Sequence, residues 1–188
     1  MNKIIKAAQF ADCQHAGQCR KYTGAPYITH CTRVAIRVMM LPDATEEMVC
    51  AAWMHDTVED CGGAERLRDI RERFGDDVAT IVDGCTDTYE TPKPPWLERK
   101  RRYIEHLKDS DSSTRLVSAS DKLHNTRAIL AELRRTGLEV FERFAGKKDG
   151  TLWYYRTLVT GFRHHGDHAD LIDELDRVVS EIERLSDA

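Results

Sequence analysis

The chain has 188 residues, with 28 Lys and Arg against 32 Asp and Glu, a net charge of −4, 41% hydrophobic residues and 32% charged ones. That length can bury a real core, and the balance excludes both a disordered polymer and a membrane-embedded chain. The acidic excess argues against a general nucleic-acid binder. The stretch Met1 to Phe10 lacks the apolar core of a signal peptide, and no run of about 18 apolar residues exists to span a bilayer. A cytoplasmic location is therefore expected, with no nucleic-acid partner and no membrane partner. Six cysteines, at 13, 19, 31, 50, 61 and 85, form no Cys-x-x-Cys pair and read as reduced thiols rather than a structural zinc site. Nothing in the sequence signals an oligomeric state.

Helical periodicity dominates, and no strand of useful length is predicted. Residues 2–16 form the first expected helix, with Ile4, Ile5, Ala8 and Ala11 inward. A polar loop at 17–26 leads through Pro26, suited to a first helical turn, into a helix over 26–41 carrying Ile28, Val34, Ala35 and Val38. Pro42 stops it, and Asp43 to Glu46 offers a capping box for a helix over 44–57. After Gly62-Gly63 come short helices at 64–73 and 75–86, then a proline-bearing loop to Pro95. Helix 96–108 has Trp96, Tyr103, Ile104 and Leu107 on one stripe, and helix 113–135 has Leu116, Leu123 and Leu130 at heptad spacing. A short helix at 138–145, a loop at 146–150 and helices at 151–164 and 167–186 complete an all-α bundle of about eight to ten helices.

One segment concentrates chemistry: His55-Asp56-Thr57-Val58-Glu59-Asp60. On a continuous helix His55 and Glu59 share a face one turn apart, and Asp56 and Asp60 form a second pair beside them. Carboxylates stacked this way repel, and a divalent cation is the natural counter-charge. Two further positions offer partners. His30 lies in the first turn or so of its helix, and Asp121, one turn from Asn125, lies beside the leucine stripe of the 113–135 helix, where it can face an inter-helix cleft.

The pattern His…His-Asp…Asp over three helices resembles the HD phosphohydrolase superfamily. More closely, the chain resembles the hydrolase domain of RelA/SpoT-type proteins, and most closely the stand-alone small alarmone hydrolases. Four stretches carry the resemblance: His15 to Lys21 leading to Pro26-Tyr27-Ile28-Thr29-His30; His55 to Asp60; Thr86-Asp87 followed by Leu97 to Arg101; and Ser120 to Arg127. They span roughly residues 5–160, so residues 1–188 are expected to form a single HD-type hydrolase domain without a synthetase.

The resemblance implies an HD-domain helical bundle in which His30, His55, Asp56 and Asp121 hold one Mn²⁺, with Fe²⁺ or Zn²⁺ as alternatives. It implies Glu59 and Asp60 as the catalytic acidic pair. Arg20, Lys21 and Asn125 match substrate-facing positions. From the basic run Arg99-Lys100-Arg101-Arg102, Lys100 or Arg101 is expected at the polyphosphate, and Tyr154, with Arg156, is expected to close the pocket, while Trp153 and Tyr155 are expected in the core. The implied reaction is hydrolysis of the 3′-pyrophosphate of ppGpp or pppGpp to GDP or GTP and pyrophosphate. Alternatives are another HD-type nucleotide phosphohydrolase, acting on a nucleoside mono- or triphosphate, and a non-catalytic, antitoxin-like binding module. Departures from the family pattern, Ala25, Cys31, Ala128 and an extra residue in the 20–26 loop, touch nucleoside recognition and leave ppApp open as a substrate.

Overall fold

The computed structural model describes residues 2–21 and 23–187. Tyr22, within the loop singled out above, lies outside the described residues, as do Met1 and Ala188. In chain order the helices are α1 (Lys3–Gln14), α2 (Ile28–Met39), α3 (Glu46–Met54), α4 (Thr57–Cys61), α5 (Gly63–Phe74), α6 (Asp76–Cys85), α7 (Trp96–Asp109), α8 (Ser112–Thr136), a 3₁₀ helix (Gly137–Arg143), α9 (Lys147–His165) and α10 (Ala169–Ser186). The described residues include no strand, only an isolated bridge between Cys19 and Pro26. The all-α expectation holds.

Three apolar clusters share one long helix. Residues of α1, α2, α3 and α6 pack with Leu116 and Val117 at the start of α8. Ala119 and Leu123 of α8 pack with α7, α9 and α10. Ile129 and Leu133, near its end, pack with Val140 and Phe141 of the 3₁₀ helix. A helix covered on several sides needs small or apolar residues nearly all round, and α8 has them over 116–120. Its cap is local: the Asp111 side chain accepts from the Thr114 N–H at 2.7 Å. At the other end of the first cluster, Phe10 meets Phe74 edge-on at 5.5 Å and ties α1 to the end of α5, a pair worth about 1 kcal/mol beyond its buried area.

Several expectations need correction. On α1 the buried residues are Ala7, Phe10 and Ala11, whereas Ile5 is exposed. The cap of α3 is Thr45, whose hydroxyl accepts from the Met48 N–H at 3.2 Å, in place of Asp43. The helix expected over 44–57 stops at Met54, and α4 restarts at Thr57. The supposed loop at 146–150 is largely the first turn of α9. Its two glycines have a packing reason: a Cβ on Gly146 would lie 2.7 Å from the Trp96 ring, and one on Gly150 would lie 3.1 Å from it. Gly146→Ala is therefore expected to cost about 1–3 kcal/mol through overpacking against Trp96, seen as a lowered thermal midpoint.

Candidate metal centre and active cavity

The break between α3 and α4 has a structural consequence. Consecutive helical side chains diverge by about 100°, so an unbroken helix cannot aim both His55 and Asp56 at one point. Here both residues sit in the turn, and both reach the same cluster. His30 enters from the first turn of α2 and Asp121 from the middle of α8. The four donor atoms of His30, His55, Asp56 and Asp121 lie within 4.8 Å of one another. His55 Nε2 is 2.9 Å from Asp56 Oδ2, and His30 Nε2 is 3.1 Å from both His55 Nε2 and Asp121 Oδ1. His30, His55 and Asp121 are buried and Asp56 is half-buried.

The chemistry of this donor set fits a divalent ion. His55 commits its Nδ1–H to the Ala52 carbonyl at 2.8 Å, which leaves Nε2 facing the cluster. Burial and the nearby charges of His30 and Arg20 push His124 down to about 4, so its neutral ring accepts at Nδ1. His30 then donates its Nδ1–H across 2.7 Å to His124 and turns its Nε2 toward the cluster. Burial alone would neutralise Asp121, but the Lys122 charge and hydrogen bonds from His30 and His55 hold it well below the usual carboxylate range. Asp56 is likewise held low, against burial, by the charge of His55 and bonds from both histidines. Against the opposing effect of burial, Asp56 and Asp121 push His55 up to about 10. The field inside the cluster thus favours positive charge, which a divalent cation supplies.

Hydrogen bonds from outside the cluster fix these groups. Tyr27 donates its hydroxyl to Asp56 Oδ2 at 2.7 Å, while Lys122 and Asn125 donate to Asp121 at 2.6 Å each. Asn125 thus makes the bond to the residue one turn back, and its own Oδ1 accepts from Arg20 at 2.7 Å. Arg20 also lies over the Tyr27 ring, 5.3 Å from its centre. The chain before it is closed by Arg20 N–H donating to the Ala25 carbonyl at 2.8 Å.

Asp56 and Asp121 of the cluster line the floor of a cavity of about 460 Å³, within the usual range for a small ligand. Of the expected substrate residues, Arg20, Lys21, Asn125, Lys100 and Tyr154 line it, as do Glu59 and Asp60. Arg101 does not; it is exposed, and Arg99 lines the cavity in its place. The stripe already held the answer, because Trp96, Arg99, Lys100, Tyr103 and Leu107 share one helix face and Arg101 falls outside it. Arg156 turns away to Asp176 and Glu183 on α10. Trp153, expected in the core, is 36% exposed, whereas Tyr155 packs against the second and third apolar clusters as expected and also lines the cavity.

Sequence reasoning missed the groups that hold the acidic pair. Lys93, from the loop before α7, donates to Glu59 at 2.8 Å and to Asp60 at 3.5 Å. Glu59 also accepts the Asp87 N–H at 3.3 Å. Asp87 in turn binds Arg99, and Lys100 at 2.9 Å. Burial, followed by the charges of Asp56 and Glu59, pushes Asp60 up to about 6, although Lys93 opposes the shift. Burial works against the charge on Lys93, and Glu59 and Asp60 more than restore it. Loop contacts of this kind carry no periodicity by which to find them.

A helical bundle holding two imidazoles and two carboxylates at the floor of a cationic cavity defines a class of metal-site hydrolase scaffolds. The HD domain family matches residues 7–151, and the chain belongs to that family. It is 38% identical over 127 residues to the mouse guanosine-3′,5′-bis(diphosphate) 3′-pyrophosphohydrolase MESH1, covering 66% of this chain and 68% of that protein. It is 35% identical over 128 residues to the Aquifex aeolicus guanosine-3′,5′-bis(diphosphate) 3′-pyrophosphohydrolase, covering 68% of this chain and 18% of that longer protein. A solved structure described as a metazoan ortholog of SpoT that hydrolyzes ppGpp superposes with a TM-score of 0.76 at 26% identity, covering 96% of each chain.

Proposed function

We propose that this chain is a metal-dependent (p)ppGpp 3′-pyrophosphohydrolase, releasing pyrophosphate and leaving GDP or GTP, and that residues 1–188 act as one HD-type domain. The observation that carries the reading is the convergence of His30, His55, Asp56 and Asp121 at the floor of a cavity whose walls bear Arg20, Lys21, Arg99 and Lys100. The kinship with 3′-pyrophosphohydrolases supports it. A mixed nitrogen and oxygen set suits Mn²⁺, with Fe²⁺ or Zn²⁺ as alternatives. When bound, such an ion supplies Lewis acidity, acidifying a water and polarising a phosphoryl oxygen.

The chain's own residues would do the rest. Glu59 and Asp60 stand beside the cluster to orient the attacking water and take its proton. Lys100 and Arg99 face the polyphosphate, and their bonds to Asp87 fix where that charge sits. Arg20, held by Asn125 and the Tyr27 ring, presents a planar guanidinium to the nucleobase or a phosphate. No helix among the described residues is long and apolar enough to cross a membrane.

The test is a substrate panel of ppGpp, pppGpp, ppApp and NADPH with Mn²⁺, products identified by mass. Pyrophosphate release from a 3′-pyrophosphorylated nucleotide, lost on chelation and restored by Mn²⁺, is the expected result. Orthophosphate release, or no turnover of ppGpp and ppApp by metal-loaded protein, overturns the proposal. His124→Phe, which removes the acceptor for His30, is expected to weaken metal binding about 10- to 100-fold, measured by competition with a metallochromic chelator.

A further inference from the structure

Separated from the metal cluster by the His30–His124 pair lies a second cavity of about 610 Å³, bounded by α2, α8 and Thr23. Arg33, Arg37, Arg127 and Arg135 line it. Two carboxylates answer these four cations: Glu174 takes Arg37 and Arg127, and Glu132 takes Arg135. Arg33 has no ion-pair partner among the described residues. The cavity therefore carries surplus positive charge in a chain whose net charge is −4.

A second, independent observation concerns buried donors. Ser120 lines this cavity, is 1% exposed, and its Oγ has no hydrogen-bond partner among the described residues. The buried Nε of Arg37 is likewise unpartnered. Buried polar groups are rarely left unpaired, and those that are call for a specific reason. His124 also lines the cavity. Hydroxyl and guanidinium are groups that bind a phosphate oxygen. The remaining wall, Leu123, Ala128 and Ala131, is apolar and built of small side chains on the α8 side.

We infer that this cavity is a second ligand site for a phosphate monoester with an apolar or aromatic body, the phosphate at Ser120, Arg33 and Arg37 and the body against Ala128 and Ala131. The inference does not depend on hydrolysis in the first cavity and stands or falls separately. Phenyl phosphate and inorganic phosphate serve as probes, titrated into the metal-loaded protein by calorimetry and by amide chemical shifts. Phenyl phosphate is expected to shift the amides around Arg33, Ser120 and Ala131, and inorganic phosphate to do so at least about tenfold more weakly. Arg33→Ala, a change at an exposed position, should weaken this binding about tenfold or more, and Ala131→Phe, which fills the cavity, should abolish it. Lys100→Ala, in the first cavity, should leave it intact. Shifts confined to Arg20 and Lys100, or unchanged affinity in Arg33→Ala, overturn the site. Equal affinity for the two probes overturns the apolar subsite. Unchanged thermal midpoints in both variants would show that the losses are not unfolding.

Discussion

Replacing Asp121 by Asn is expected to cut turnover of the 3′-pyrophosphorylated substrate by roughly a thousandfold or more, because several kcal/mol of transition-state stabilisation leave with the metal. Asp121 is 4% exposed, faces both histidines of the cluster and is the counter-ion of a half-buried lysine. The substitution keeps the shape and deletes the charge, so two effects should separate. The metal content should fall, read by elemental analysis after gel filtration. Stability should fall as well, by about 1–3 kcal/mol, because the half-buried Lys122 loses its counter-charge. Adding Lys122→Met should recover most of that stability and none of the activity. If the single variant keeps its metal and its turnover, the assignment of Asp121 to the ion is wrong.

Much of this site could be read from the sequence because it sits on strongly periodic elements. The heptad Leu116, Leu123, Leu130 announces α8, and once that stripe is inward, Asp121 and Asn125 must lie at its edge. His30 follows similarly from the apolar face of α2. What escaped is where local rules compete with convergence. The run 44–57 reads as one helix, yet bringing adjacent His55 and Asp56 to one ion requires the chain to break after Met54, between α3 and α4. Glu59 and Asp60 were identifiable as acids, but their partner Lys93 comes from an irregular loop whose path is set by tertiary contacts. Of Lys100 and Arg101, only Lys100 reaches the cavity, beside Arg99, because the Trp96, Tyr103 and Leu107 stripe fixes the inward face of α7 and Arg101 falls outside it. The glycines at 146 and 150 looked like loop signals because nothing local reveals that Trp96 presses on them.

Asp60→Asn is expected to lower kcat about 100- to 10,000-fold, the usual range for removing a general base, without changing metal stoichiometry. The reason lies in how its environment differs from that of Glu59. Glu59 is tied down by Lys93 and by the Asp87 N–H, and so is suited to holding a water in place. Among the described residues Asp60 has only the longer hydrogen bond from Lys93, at 3.5 Å, and burial together with two neighbouring carboxylates raises its proton affinity. A carboxylate with raised proton affinity is the better base at neutral pH. Glu59→Gln should accordingly cost less in kcat than Asp60→Asn, because a glutamine can still accept from Lys93 and from the Asp87 amide. Lys93→Ala should fall between no effect and the Glu59 loss, since it frees both acids without removing either. The three variants are compared by steady-state kinetics on the metal-saturated protein, with metal content measured on the same samples. Equal losses for Glu59→Gln and Asp60→Asn would mean that the two acids act as one unit. A larger loss for Glu59→Gln would reverse the roles assigned to them.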